Sequence, residues 1–127
     1  MSFAPLRALL EYAEASNPTT SIDSNVLLTH TQDTITVQDK FPKSIFHYLV
    51  LPRLKHDDGS ARTDITASRV KELRSLLKGD KSVAREVLET LARDAKEVKG
   101  MIENKMMEQF QFKWPIWIGF HSVQSME

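Results

Sequence analysis

The chain is 127 residues long, 41% hydrophobic and 27% charged, which is the length of one domain and far from the composition of a disordered segment. Seventeen basic residues balance seventeen acidic ones, so bulk charge selects no polyanionic partner and any phosphate binding has to come from a local cluster. Cysteine is absent, which excludes disulfides, thiol catalysis and cysteine-ligated zinc; no apolar run reaches membrane-spanning length and no signal-peptide pattern opens the chain, so the expectation is a soluble, intracellular protein.

Residues 2–15 read as a helix. Ser2 is a plausible N-cap, Pro5 falls in the first turn where a missing N–H costs little, and Leu6, Leu9, Leu10 and Ala13 form a stripe. Asn17-Pro18 ends it, because a residue before proline is pushed out of helical geometry, and 19–24 reads as a polar connector. Two strands are expected at 26–30 and 34–38 around a turn at Thr31-Gln32-Asp33. Ile35 and Val37 point one way and Thr36 and Gln38 the other, which predicts a hairpin buried on one face. A turn at 39–44 containing Pro42 leads to a third strand, 45–51, closed by Pro52, and three strands this close predict an antiparallel meander.

The charged stretch 53–62 with Asp57-Asp58-Gly59 reads as a surface loop. A helix is expected over 64–78, stopped by Gly79, with Asp80 capping the next one directly. That next helix, 82–107, carries Val83, Val87, Leu88, Leu91, Ala95, Val98, Ile102 and Met106 at helical spacing and would be about 38 Å long. Met101, Met106 and Met107 read as core filler. Finally, Ile116, Ile118 and Phe120 alternate with Trp117, Gly119 and His121, which predicts a terminal strand at 116–120 with Gly119 and His121 on one face. A strand glycine often marks close approach of a ligand or backbone. The fold class is α+β, with helices packed on an antiparallel sheet.

Several side chains are candidates for chemistry, each with a plainer reading beside it. The histidines at 30, 47, 56 and 121 include no pair at metal-ligand spacing, so no metal site is expected. His47, in register with Ile45 and Leu49, reads as a buried, hydrogen-bonded structural histidine. Lys40 and Lys43 flank Phe41-Pro42; they are either solvated or held by the stiff turn against an anion, and Asp39 before them is a natural turn former. Residues 122–125, with Ser122 and Ser125, form a small polar turn that can present N–H groups and hydroxyls to an oxyanion or can simply connect strands.

Taken together, Asp39-Lys40-Phe41-Pro42-Lys43-Ser44 followed by Phe46-His47-Tyr48-Leu49-Val50-Leu51-Pro52 resembles the D-x-[FY]-P-K-[AS]-x-x-H-x-L-[VL]-L-P stretch of aprataxin-like proteins, a branch of the histidine-triad (HIT) superfamily. Gly119-Phe120-His121-Ser122-Val123-Gln124-Ser125-Met126 resembles that family's G-[FY]-H-[AS]-x-P-S-M segment, in the right order and with helices between, so the resemblance spans the chain from about Leu6 onward. It implies a HIT-like fold and the removal of AMP from the 5′ end of DNA left by abortive ligation, a DNA-repair hydrolysis in the nucleus. A triad histidine attacks the α-phosphorus and water then releases AMP. Carried over, Lys43 would contact phosphate, and Gly119, His121 and Ser125 would frame the phosphate end of the site, with Asp39, Lys40 and Ser122 as further contacts. The implied partner is adenylated DNA, AMP or another nucleotide.

The departures are as informative as the matches. In the family the S-M pair is followed by H-φ-H-φ-H-φ-φ on the strand that pairs back onto the G-F-H strand, whereas here Glu127 follows. The family's cysteine/histidine zinc module has no counterpart in a sequence without cysteine, so no cofactor is expected within it. Gln124 replaces a proline, Ile45 stands where a basic residue is usual, and the helical region is longer. The expectation is therefore a fragment of an aprataxin-like DNA-adenylate hydrolase, shortened before its histidine triad and its last catalytic strand, inactive as written and of marginal stability, with an unpaired terminal strand able to self-associate. The alternatives are a non-catalytic HIT-like nucleotide- or DNA-binding module and a general HIT nucleotide hydrolase.

Overall fold

A computed structural model describes residues 4–39, 44–63 and 77–119. Its elements are helix α1 (Ala4–Ala13), a single helical turn α2 (Pro18–Ser21), strands β1 (Leu27–His30), β2 (Thr34–Gln38) and β3 (Tyr48–Pro52), and the long helix α3 (Lys81–Phe110). The strands form an antiparallel sheet in the order β1-β2-β3, with Val37 opposite both Leu27 and Leu49. The molecule is thus α+β, with helices on a three-stranded meander.

The hairpin departs from the expected single buried face. Thr34, Ile35, Thr36 and Val37 of the central strand are all buried, so both faces are covered. On one face Ile35 and Val37 pack with Ile22 and with Leu9, Tyr12 and Ala15 from the α1 side. On the other, Leu28, Tyr48 and Val50 meet Val98, Ile102 and Met106 of α3. A third cluster, Ala13, Leu54, Ala84 and Val87, joins α1 to the first half of α3. The sheet is therefore the middle of three layers, and the threonines that read as solvent-facing look into a helix.

β3 is shorter than expected, starting at Tyr48 rather than at residue 45. The Ser44 hydroxyl donates to the Phe46 carbonyl at 2.9 Å and holds residues 44–46 in a bend. Ladder pairing begins only at Gln38–Tyr48. The turn α2 occupies part of the expected polar connector, with Pro18 at its first position.

α3 starts where its cap predicts. Asp80 Oδ1 accepts from the backbone N–H groups of Ser82 at 2.8 Å and Val83 at 3.4 Å. The helix runs on to Phe110 and stops at Gln111, whose φ of 58° breaks the repeat. Its 30 residues make it about 45 Å long. The buried stripe contains Ala84, Val87, Val98, Ile102 and Met106, and also Asp94, which hydrophobic periodicity does not reveal. Among the described methionines only Met106 fills the core, whereas Met101 and Met107 are exposed. Met106→Ala is expected to cost about 2–5 kcal/mol and Met107→Ala well under ~1 kcal/mol in urea unfolding. The expected helix at 64–78 lies outside the described residues up to Leu76; the helical backbone at Leu77 and Lys78 ends before Gly79.

The charged segment 53–62 is not simply surface. Arg53 is 0% exposed and Leu54 is buried, while Lys55 and Ala61 bridge around a turn in which Gly59 has φ +89°. Arg53 donates to the carbonyls of Thr31 (2.8 Å), Ala15 (3.0 Å) and Ser16 (3.3 Å) and to Asp57 Oδ1 (2.8 Å). One guanidinium so binds the end of α1, the β1–β2 turn and the loop after β3.

Candidate functional site

Asp39 and His47 are the two motif residues that the structure brings together. Asp39 follows β2 and His47 precedes β3. The Asp39 N–H donates to the His47 carbonyl at 2.9 Å, and His47 Nε2 lies 3.3 Å from Asp39 Oδ2. This double contact closes the base of the connection that contains Lys40 and Lys43. Both side chains are partly exposed, so His47 is not the fully buried strand residue its register with Ile45 and Leu49 suggests; Ile45 is itself exposed. The arrangement supplies a carboxylate that orients an imidazole at the open end of β2–β3, a pairing suited to hydrogen-bonding a polar ligand.

Lys40, Lys43, His121, Ser122 and Ser125 lie outside the described residues. Gly119 is described and exposed, and among the described residues nothing but its chain neighbours comes within 4 Å of the position a Cβ would take. The expected strand at 116–120 is not formed over its described part, 116–119. A period-2 trace survives: Trp114 and Ile116 face the α3 cluster while Pro115 and Trp117 face outward, but Ile118 is exposed as well. A strand needs a hydrogen-bonded neighbour, and alternation alone does not supply one.

The strongest electrostatic arrangement lies at the opposite end of β2, about 16 Å from Asp39 along the strand. Asp94 Oδ2 accepts from the hydroxyls of Thr34 (2.6 Å) and Thr31 (2.9 Å), and Arg93 donates from Nε to Asp94 Oδ1 at 2.9 Å. Arg93 also reaches Asp33 at 3.2 Å. Burial pushes the Asp94 carboxyl up, but the hydrogen bonds from Arg93, Thr34 and Thr31 outweigh it and hold the group below its ordinary value. Asp94, and then Asp33, raise the Arg93 guanidinium further above its own. Both Asp94 oxygens have donors, so this cluster is a fastening between α3 and the β1–β2 turn. A polar cleft of about 190 Å³ lies beside it, lined in part by Asp33, Thr34, Arg62, Glu86 and Arg93. A wider one of about 310 Å³ lies on Lys81, Arg85, Glu86 and Glu89 of α3. Of the motif residues only Pro52, at the end of the first motif, lines either cleft among the described residues.

His30 ends β1 with a buried Nδ1 that has no hydrogen-bond partner among the described residues, and His56 sits in the exposed turn before Gly59. Among the described residues no three histidines, aspartates or glutamates gather as a metal could use them. No helix among them is long and apolar enough to cross a membrane. No protein-family model matches the chain, and neither the curated proteins nor the solved structures give a significant match.

Proposed function

We propose that the chain carries the adenylate-binding part of an aprataxin-like DNA 5′-adenylate hydrolase and binds adenylated ends without turning them over. The observation that carries this reading is the Asp39–His47 contact at 3.3 Å, made by two residues of the D-x-F-P-K-S…H motif at the base of the connection holding Lys43. The α+β meander is compatible with it. Lys43 would neutralise the phosphate, with Gly119, His121 and Ser125 beside it and Asp39, Lys40 and Ser122 as outer contacts. Splitting the pyrophosphate link between AMP and the DNA 5′-phosphate by this chemistry needs an unencumbered imidazole to attack the α-phosphorus, with the DNA 5′-phosphate as leaving group. His47 is oriented by Asp39, and these 127 residues contain no H-φ-H-φ-H run.

Competition among AMP, a dinucleoside polyphosphate and 5′-adenylated nicked DNA for a fluorescent adenylate tests the reading. Adenylated DNA is expected to compete best and AMP to reach the same site. Lys43→Ala is expected to weaken both about tenfold, the loss of one charge-assisted hydrogen bond. Equal competition with no preference for DNA would favour a general nucleotide site of the same superfamily. Failure of all three to bind contradicts the proposal.

A further inference from the structure

Asp58-Gly59 is the one place in the sequence where an aspartate or asparagine precedes a glycine. At such a pair the peptide nitrogen can close on the side chain before it, because glycine has no side chain to obstruct the approach. The Gly59 nitrogen bonds to Asp58 Cγ, its proton and one carboxyl oxygen leave as water, and a succinimide ring forms. Water then reopens the ring. Attack at the former main-chain carbonyl leaves the backbone running through Cβ and Cγ of Asp58, as isoaspartate. Water is the only co-reactant.

The turn between Lys55 and Ala61 engages both reacting groups. The Gly59 N–H donates to the His56 carbonyl at 3.0 Å, so the nitrogen that would attack is already hydrogen-bonded through its proton. Asp58 Oδ1 accepts from the Ser60 N–H at 2.9 Å and from the Ser60 hydroxyl at 2.6 Å. The frame is closed around them: His56 N–H donates to the Ser60 carbonyl at 2.8 Å, Lys55 bridges Ala61, and Gly59 holds a φ of +89°. The hydrogen bonds from the Ser60 hydroxyl and N–H also hold the Asp58 carboxyl below its ordinary value, which depletes the protonated form that loses water. Residues 58–60 are exposed, so solvent reaches the pair and only the turn's own bonds restrain it.

We propose that Asp58 is a fold-gated modification site, quiescent while the 55–61 turn is closed and converted to isoaspartate when the turn opens. The conversion lengthens the main chain by one methylene between His56 and Ser60, so the original set of hydrogen bonds cannot re-form. Isoaspartate at this position therefore marks chains whose turn has been open.

Incubation of the full chain in warm neutral buffer, with and without unfolding urea, tests the gating; isoaspartate at position 58 is counted by electron-transfer mass spectrometry. Neither arm contains a nucleotide, so the result is independent of the adenylate reading. Isoaspartate is expected to accumulate at least about tenfold faster in urea, and Ser60→Ala without urea should raise the folded-chain rate about tenfold, the effect of one hydrogen bond to a charged group. Ser60 is exposed, so the helical circular dichroism of that variant should match the native chain. Equal rates with and without urea overturn the proposal, as does a folded Ser60→Ala chain that isomerises no faster than the native one.

Discussion

Arg53→Ala is expected to lower the unfolding free energy by about 3–5 kcal/mol, the largest effect of any single substitution proposed for this protein. The side chain is fully buried, and three of its four hydrogen bonds go to main-chain carbonyls at Thr31, Ala15 and Ser16. Truncation strips those carbonyls of their donor and leaves a hole where the end of α1, the β1–β2 turn and the loop after β3 converge. Exposed Asp57 matters less, because water can replace the guanidinium there. Arg53→Lys should recover only part of the loss, since one ammonium cannot span carbonyls that two guanidinium nitrogens reach. Against a total stability of about 5–15 kcal/mol, the alanine variant sits near the folding threshold. Thermal melts should show a fall of about 10 °C or more. A change under about 3 °C would mean that Arg53 does not hold these segments together.

Asp94→Ala should follow, at about 2–4 kcal/mol, because it leaves the buried Thr34 hydroxyl without its acceptor and releases Thr31 and Arg93. Asp94→Asn keeps the volume but turns an amide toward a donor, so it should be only partly milder. The carboxyl also sets an acid dependence of known sign. Its folded pKa lies below the ordinary carboxylate value. The unfolded chain therefore binds this proton first as pH falls, and the stabilisation is full above about pH 4, the unfolded value, and lost as pH drops through the folded one. Urea midpoints measured from pH 6 downward should fall for the native chain and fall less steeply for Asp94→Asn. Parallel curves would show that Asp94 does not carry that part of the acid sensitivity.

These two residues also show where the sequence stops being legible. The long helix is readable because Val87, Val98, Ile102 and Met106 repeat at helical spacing behind Asp80, and the meander because apolar residues alternate around Thr31-Gln32-Asp33. Asp94 and Arg53 are invisible to that method, since each lies in a charged stretch and is buried only because partners remote in sequence satisfy it. Thr34 misleads for the same reason: a polar side chain reads as wet until a carboxylate sixty residues away accepts its hydroxyl. The terminal segment fails in the opposite direction. Its alternation is genuine, with Ile116 packed inward and Trp117 outward, yet a ladder depends on a neighbour that no local pattern specifies. At the candidate site the structure adds that Asp39 and His47, two residues of the first motif, touch, which placing His47 inside a strand obscured.

The proposed function requires binding of an adenylated end without its cleavage. Incubation with 5′-adenylated nicked DNA, labelled in the adenylate, reads both halves in one experiment. The expected result is retention of labelled DNA by the protein, weakened by Lys43→Ala, with no AMP released above the uncatalysed background. Robust AMP release would show that a nucleophile is present after all, and an unretained, intact substrate would remove the adenylate reading.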